Sequence, residues 1–175
     1  MKIYLVYVGR LTQIKRLDRL IDLGRSLKVS HPTAHLIIAG AGELLEELTA
    51  QSQSESLPIT FLGWRNDIDM ILSASDIAVL CSDNEGIPLT LIQASQAGLP
   101  IVTTNVGSVS DIVLDGVTGL LTEVSANGLI QGVSKLLDDP NLRDWLGESG
   151  QKRAKEFFSS QAMVKHHERL YSQIL

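Results

Sequence analysis

The stretch Ser82-Asp-Asn-Glu-Gly-Ile-Pro-Leu-Thr-Leu-Ile-Gln-Ala-Ser-Gln-Ala-Gly-Leu-Pro100 decides the fold of this chain. It predicts a polar loop followed by a helix, because turn-forming residues precede Pro88, helical apolar spacing follows it, and a glycine and a proline end the pattern. The apolar run Ile77–Cys81 ahead of it has the length of a strand. Glu85 therefore lies where a strand passes into a helix N-terminus. Such a place favours an anion, because free backbone N–H groups and the positive end of the helix dipole point into it.

Outward from this stretch, short apolar runs alternate with helical patterns along the chain. Strands are expected at Ile3–Val8, Leu36–Ala39, Ile59–Leu62, Ile77–Leu80, Ile101–Thr103 and near Leu120. Helices are expected over Ile14–Leu27, Glu43–Gln51, Asp67–Ala74, the stretch after Pro88, Ala126–Leu137, Leu142–Phe158 and a C-terminal tail at 159–175. This alternation predicts an α/β fold: a Rossmann-like three-layer α/β/α domain, spanning residues 1–175, with a mostly parallel sheet of about six strands.

Composition narrows the classes of function. The net charge of −5 over 175 residues argues against nucleic acid as a partner. The single Cys81 excludes an internal disulfide and fits a reducing compartment, so we expect a cytoplasmic protein. No apolar run approaches the length of a membrane span.

Candidate binding residues lie in the loops that follow the strands, since parallel sheets bind ligands at the carboxyl ends of their strands. Arg10 offers a planar fork for two phosphate oxygens, and Lys15 offers a compact point charge. Both also fit the description of solvated surface charges. Gly40, directly after a strand, is typical of a strand-to-helix turn, and Trp64 suits packing against a helix.

Two segments resemble the signature of the group 1 (family 4) retaining glycosyltransferases: Glu85-Gly-Ile-Pro-Leu-Thr-Leu-Ile-Gln-Ala94 and Ala97-Gly-Leu-Pro-Ile-Val-Thr-Thr104. The elements Gly9-Arg10-Leu11 with Lys15, Gly40-Ala41-Gly42 and Phe61-Leu62-Gly63 also resemble family motifs, so the resemblance covers nearly the whole chain. It implies one half of a GT-B fold, in which two Rossmann-like domains face each other and the C-terminal one binds the nucleotide sugar. It also implies a reaction that needs no metal and no cofactor.

The resemblance assigns a role to the matching positions. It implies that Gly40 lies in a turn beside the nucleotide and that Trp64 and Arg65 are candidates for contacts with the base. Arg10 and Lys15 hold the diphosphate, and Glu85 is the catalytic residue that contacts the donor sugar and stabilises positive charge at its anomeric carbon. The family has a second Glu that binds the ribose, where this chain has Gln93, which keeps one amide oxygen as an acceptor. A glycine common in the family is replaced by Arg16. The full set of expected substrate-binding residues is Gly9, Arg10, Lys15, Gly40, Trp64, Arg65, Glu85, Gly86, Ile87, Pro88, Leu89 and Gln93, with no metal ligand among them.

The resulting prediction is the donor-binding domain of a retaining glycosyltransferase that acts in polysaccharide or glycoconjugate synthesis. The N-terminal, acceptor-binding domain is expected to be absent, so that this chain alone is an inactive half; an excised piece and a natural subunit with a partner chain are both open. Peripheral membrane association of the full-length enzyme is also open. The alternatives are a non-catalytic nucleotide-sugar-binding or partner module with a degenerate site, and a sugar-nucleotide epimerase of GT-B shape.

Overall fold

Strands and helices alternate along residues 2–173, which are the residues that the computed structural model describes. The strands are β1 (Ile3–Val8), β2 (Ala34–Ala39), β3 (Ile59–Gly63), β4 (Ile77–Leu80), β5 (Ile101–Thr104) and β6 (Gly119–Thr122). The helices are α1 (Asp18–Ser30), α2 (Leu45–Ser54), α3 (Ile68–Ser73), α4 (Leu89–Gln96), α5 (Val109–Ile112), α6 (Ala126–Asp138), α7 (Pro140–Phe157) and α8 (Ser160–Tyr171), with a 3-10 turn at Gln13–Lys15 ahead of α1.

The six strands form one sheet in the order β3-β2-β1-β4-β5-β6, and every pair of neighbours is parallel. Leu5 at the centre of β1 pairs with Leu36 of β2 on one side and with Ile77 of β4 on the other. All three side chains are fully buried, which is why these strands read as continuous apolar runs. The predicted six-stranded α/β fold is confirmed, and the sheet is parallel throughout.

The direction in which successive strands are added to the sheet reverses between β1 and β4. Strands β2 and β3 lie on one side of β1, and β4, β5 and β6 lie on the other. Helix α1 contacts α2 and α6, whereas α3 contacts α4. Right-handed crossovers put these two sets of helices on opposite faces of the sheet. The loops after β1 and β4 therefore meet at a topological switch point, where α/β sheets commonly bind ligands.

The helix predicted over Ile14–Leu27 is interrupted. Arg16 has a left-handed backbone (φ 53°, ψ 49°), which ends the 3-10 turn, and α1 begins two residues later. The apolar spacing continues through this break, so periodicity did not reveal it. Glycine adopts this conformation more readily than any other residue, so the arginine at position 16 is held in a backbone conformation that favours glycine.

Other differences lie at the ends of elements. Pro88 is the N-cap of α4 and not its first residue. Helix α5 was not predicted, because its four residues carry too little periodicity. The expected tail helix is α8, capped by the Ser159 hydroxyl, which accepts from the Ala162 N–H at 3.2 Å; residues 174–175 of that prediction lie outside the described range. Within residues 2–173, no helix has both the length and the apolar composition needed to cross a bilayer.

Candidate functional site

The loops after the first three strands are joined into one rim by backbone hydrogen bonds. The Gly9 N–H donates to the Ala39 carbonyl at 3.0 Å, and the Gly40 N–H donates to the Gly63 carbonyl at 2.8 Å. Gly40 has φ +154°, and a Cβ at this position would lie 1.8 Å from the Gly9 carbonyl oxygen. Only glycine fits there, so Gly40 brings the β1 and β2 loops into contact.

A cavity of about 260 Å³ lies behind this rim. Its walls are formed by Val8, Gly9, Arg10, Ala39, Gly40, Ala41, Trp64, Arg65 and Ile68, which include five of the predicted site residues. The Trp64 side chain is 74% exposed, so a wide aromatic surface lies at the edge of a small, largely apolar hollow. Packing against a helix does not account for such exposure, whereas stacking on a planar ligand would use it.

Two arginines line this cavity, and they differ in whether another side chain binds their guanidinium. Arg65 donates from Nε and Nη2 to the two carboxylate oxygens of Asp67, at 2.8 and 2.5 Å. The guanidinium of Arg10 makes no hydrogen bond or ion pair with any residue in 2–173. Arg10 is therefore available for an anion, while Arg65 is held in place.

Backbone contacts hold Arg10 at the rim. The hydroxyl of Tyr7, which is fully buried beneath the loop, donates to the Arg10 carbonyl oxygen at 3.1 Å. Burial raises the pKa of the Tyr7 hydroxyl, and the nearby Cys81 and Glu85 add to the increase. Tyr7 thus stays a neutral donor at physiological pH.

The second cluster joins the β1 loop to the β4 loop. Lys15 Nζ lies 2.7 Å from Glu85 Oε1, and the Ser82 hydroxyl donates to the same oxygen at 2.6 Å. The two charged side chains are only 17% and 8% exposed. Glu85 Oε2 has no hydrogen-bond partner within the described residues. An ammonium has three donors, so Lys15 keeps two of them for a further ligand.

The start of α4 lies directly after this cluster. The backbone N–H groups of Gly86, Ile87 and Leu89 make no hydrogen bond within residues 2–173. A Cβ built on Gly86 would meet no atom within 4 Å, so the space in front of this loop is open. Pro88 is buried and shapes the turn, whereas Gln93, one helical turn beyond Leu89, is exposed.

The position of Glu85 is fixed from behind by the loop after β5. Gly107 has φ +53°, and a Cβ on it would lie 1.8 Å from the Glu85 carbonyl oxygen. The Thr104 hydroxyl donates to the Ser82 carbonyl at 2.7 Å. Gly107 therefore brings the loop after β5 into close contact with the candidate catalytic residue.

Sequence reasoning missed Arg19, which organises the same loop from the other side. This side chain is 5% exposed and donates to the Cys81 carbonyl at 2.7 Å, to Asp83 Oδ1 at 2.6 Å and to the Val124 carbonyl at 3.3 Å. Arg19 precedes Leu23 by four residues on the buried face of α1. The sequence did contain a signal for this role, namely a cation at an apolar position of a helix. A charge that is buried at such a position needs a partner.

Asp83 links this arginine to the β1 loop. Arg16 Nη1 donates to Asp83 Oδ2 at 2.9 Å, and the Asp83 N–H donates to the Ile14 carbonyl at 3.1 Å. Hydrogen bonds from Arg16 and Arg19 hold the pKa of the Asp83 carboxyl below its ordinary value. Arg16 also donates hydrogen bonds to Asp18, which lower the pKa of the Asp18 carboxyl. The segments that carry Lys15 and Glu85 are therefore tied together by charge as well as by backbone contacts.

A larger cavity, of about 600 Å³, lies beside the β1 loop, between the start of α1 and α2. It is lined by Gln13, Ile14, Arg16, Leu17, Asp18, Leu44, Glu47, Leu48, Gln51 and Asp83, and none of these is a predicted site residue. Its arginine and aspartates neutralise one another. Volume alone thus does not identify the site. No group of three or more potential metal ligands converges within residues 2–173.

The arrangement suits an extended ligand with three chemically different parts. The cavity with Trp64 accepts a planar ring, Arg10 and the free donors of Lys15 accept an anion, and Glu85 accepts hydroxyl groups. These groups follow one another along the carboxyl edge of β3, β2, β1 and β4.

The sequence of this chain is similar to those of known proteins. The family model described as glycosyl transferases group 1 matches residues 1–153. The N-acetyl-alpha-D-glucosaminyl L-malate synthase of Bacillus anthracis is 26% identical over 98% of this chain and 45% of its own length. The chain thus spans about half the length of the curated relatives it matches.

Solved structures agree with this similarity. HepE of Anabaena in complex with UDP-glucose superposes with a TM-score of 0.86 and 25% identity, over 98% of this chain and 49% of that one. The C-terminal domain of LpcC, a group 1 family protein of Francisella tularensis, has a TM-score of 0.80 and 21% identity, over 91% and 87% of the two chains. The second similarity extends over most of a domain that is described as C-terminal, and at this identity it shows the fold alone.

Proposed function

This chain belongs to the glycosyl transferases of group 1, and we propose that it is the domain that binds the nucleotide-diphosphate sugar. The observation that carries the proposal is the order of three features along one edge of the sheet. They are the cavity with Trp64 at its edge, Arg10, which pairs with no residue in 2–173, and Lys15, which pairs with Glu85. Three of the solved structures that resemble this chain are complexes of HepE with UDP, with UDP and glucose, or with UDP-glucose. UDP-glucose, the ligand of one of these complexes, consists of a planar base, a diphosphate and a sugar, and these correspond to the three parts of the site.

In this proposal, Arg10 and Lys15 hold the diphosphate. Arg10 presents its planar fork from the rim of the cavity, and Lys15 uses the two donors that Glu85 leaves free. The free N–H groups at the start of α4 add further donors for an anion. During transfer, the bond between the anomeric carbon and the phosphate oxygen breaks and its electron pair leaves with the nucleoside diphosphate. The two cations stabilise this departing charge without a metal ion.

Glu85 faces the sugar in the same scheme. Its Oε1 is anchored by Lys15 and Ser82, and Oε2 is free to accept a sugar hydroxyl or to stabilise positive charge at the anomeric carbon. The acceptor hydroxyl oxygen then bonds to the anomeric carbon, and its proton passes to the departing phosphate oxygen. Retention of the anomeric configuration, and the assignment to family 4, are part of the proposal and rest on the resemblance of the Glu85–Ala94 segment.

Transfer itself is proposed for this domain together with a second one that binds the acceptor. The curated relatives are about twice as long as the matched region, which leaves room in them for such a domain. A polysaccharide or glycoconjugate acceptor and a cytoplasmic location complete the proposal.

Isothermal titration of UDP, GDP and ADP into the chain tests donor binding directly. We expect at least one of them to bind, and Lys15→Met to weaken that binding about ten- to hundredfold, because a hydrogen bond to a charged group contributes about 1.5–3 kcal/mol. Lys28→Met is the matched control: Lys28 lies in the last turn of α1, far from the carboxyl edge, and donates to the Glu55 carbonyl at 2.6 Å.

The control variant should bind the nucleotide as the unmodified chain does. Absence of heat with all three nucleotides would refute donor binding and favour a module with a degenerate site. Equal losses in the Lys15 and Lys28 variants would remove Lys15 from the site.

A further inference from the structure

Arg16 has a backbone conformation that a residue with a side chain disfavours. Within residues 2–173, Arg16 and Ser56 are the two non-glycine residues with a positive φ, at 53° and 50°. A left-handed conformation costs free energy for a residue with a Cβ. Such a conformation persists only where the surrounding structure holds it, and positions of this kind cluster at functional sites. The surroundings of Arg16 must therefore supply contacts that offset this cost.

The backbone of the turn at Arg16 is held by the segment that follows β4. The thiol of Cys81, which is fully buried, donates to the carbonyls of Lys15 and Arg16, at 3.1 and 3.2 Å. The Asp83 N–H donates to the Ile14 carbonyl at 3.1 Å. Three consecutive carbonyls of the turn are thus bonded by residues of the segment after β4.

The side chain of Arg16 makes the same connection through charge. Its Nε and Nη2 donate to the two oxygens of Asp18, at 3.0 and 2.7 Å, and its Nη1 donates to Asp83 Oδ2 at 2.9 Å. One guanidinium thus lies between two carboxylates, which use three of its five N–H donors. Arg16 is therefore bound to partners in the protein, unlike Arg10, whose guanidinium pairs with no residue in 2–173.

Both ends of this contact lie next to the proposed donor site. Arg16 follows Lys15 directly, and Asp83 precedes Glu85 by two residues. The bond between Arg16 and Asp83 therefore restrains the two segments whose side chains meet in the pair of Lys15 with Glu85, at 2.7 Å. The Arg16 and Asp83 side chains are 38% and 40% exposed, and ion pairs exposed to this extent contribute little to the stability of a fold. Stability alone thus does not account for an arginine at a position that favours glycine.

We propose that Arg16 is a positioning residue for donor binding: its guanidinium, bound to Asp83, holds the turn that carries Lys15 against the loop that carries Glu85 before the ligand binds. Arg16 itself does not touch the nucleotide. The inference rests on the proposed function, because it needs a diphosphate to bind at Lys15. A site whose charged groups are already in place loses less conformational entropy on binding, so this contact should raise the affinity more than the stability.

Calorimetric titration of UDP, GDP and ADP into two variants tests this role. Arg16→Gly removes both the guanidinium and the backbone strain, whereas Arg16→Met removes the guanidinium and keeps the strain. For the nucleotide that binds the unmodified chain most tightly, we expect both variants to weaken binding about three- to tenfold, the effect of ordering one or two side chains on binding. The melting temperature should change by no more than about 2 °C in Arg16→Gly, where relief of strain offsets the lost ion pairs, and should fall further in Arg16→Met.

Two control variants separate this role from general effects. Ser56→Gly relieves the other left-handed position, which lies in the turn after α2, and should leave the affinity unchanged. Arg25→Met removes a surface guanidinium that pairs with Glu55 at 2.7 and 2.6 Å, and should also leave the affinity unchanged.

A double-mutant cycle with Asp83→Asn identifies the partner of Arg16. If the two side chains act through one contact, the variant with both Asp83→Asn and Arg16→Met should bind the nucleotide as Asp83→Asn alone does, within about twofold. Fully additive losses would contradict the proposal, because Arg16 would then act on the nucleotide directly or without Asp83.

The remaining outcomes separate the inference from the function beneath it. Unchanged affinity in both Arg16 variants would overturn the inference while leaving donor binding intact. Weaker binding in only one of the two variants would exclude a role of the guanidinium, which both of them lack. Equal falls in the melting temperatures of the two variants would contradict the strain on which the inference rests. If no nucleotide binds to the unmodified chain, the proposed function itself fails.

Discussion

Replacing Arg19 by methionine tests whether a buried cation positions the two halves of the site. The change keeps most of the side-chain volume and removes bonds to the Cys81 carbonyl and Asp83 at 2.7 and 2.6 Å, and a longer one to the Val124 carbonyl. Each short charged bond is worth about 1.5–3 kcal/mol, but methionine also avoids the cost of burying a guanidinium. We expect a net loss of about 2 kcal/mol in the free energy of unfolding, and a melting temperature about 4–8 °C lower for a chain of this size.

Stability alone would not show that Arg19 positions the site, so the assay needs a second measurement. Arg19→Met should weaken UDP binding about three- to tenfold in the unmodified chain and much less in a Lys15→Met background. The reason is that Arg19 contacts no part of the proposed ligand site and acts through the loop that holds Lys15 against Glu85. Arg25→Met, a surface arginine with two ion-pair partners, is the control and should change neither quantity appreciably.

A lower melting temperature with unchanged UDP affinity would refute the positioning role and leave Arg19 as a purely structural residue. Equal losses of affinity in the two backgrounds would also contradict it, because independent effects add.

Three other predictions follow from the same loops. Gly107→Ala should lower the free energy of unfolding in urea by more than about 2 kcal/mol, because its Cβ would lie 1.8 Å from the Glu85 carbonyl oxygen. The control Gly116→Ala should lower it by only about 1 kcal/mol, because Gly116 has φ +67° but no atom within 4 Å of the added Cβ. Equal losses in the two variants would contradict the contact. Because the pKa of Asp83 is lowered in the folded chain, its ion pairs stabilise the fold above pH 3.8, the pKa of the unfolded state, and this stabilisation is lost as the pH falls further. Asp83→Asn should therefore flatten the decline of the urea midpoint below about pH 4. An unchanged slope would be the contrary result. Gln93→Glu should tighten UDP binding by roughly fivefold, about 1 kcal/mol, if this position binds the ribose, and an unchanged dissociation constant would remove Gln93 from the site.

Strands β1 and β4 could be predicted to the residue because they are central strands whose residues are almost all apolar. Ile3–Val8 and Ile77–Leu80 were expected with the bounds that the structure has. The break before α1 could not be predicted in this way, since Ile14 and Leu17 keep a helical spacing across the left-handed Arg16. Apolar periodicity reports which face is buried, and it does not report the backbone angle of an exposed residue.

The candidate site was predictable as a list of residues and not as a set of contacts. Each loop carries its own local signal, such as an arginine after a strand or a glycine before a helix. The pairing of Lys15 with Glu85 joins residues 70 positions apart and depends on the order β1-β4 in the sheet. Arg19 illustrates the same limit, because its partners come from two distant segments: Cys81 and Asp83 in the loop after β4, and Val124 after β6.

The pairing of Lys15 with Glu85 has a consequence for the proposed chemistry. In the proposed function, the Lys15 ammonium touches the carboxylate that would face the sugar and keeps donors for the phosphate that would leave it. A loss of negative charge at Glu85 would therefore loosen the ammonium as well as alter the sugar contact, since the two side chains are both largely buried. The sugar end and the phosphate end of the site are thus coupled through a single cation, and substitutions at Glu85 and Lys15 should affect donor binding non-additively.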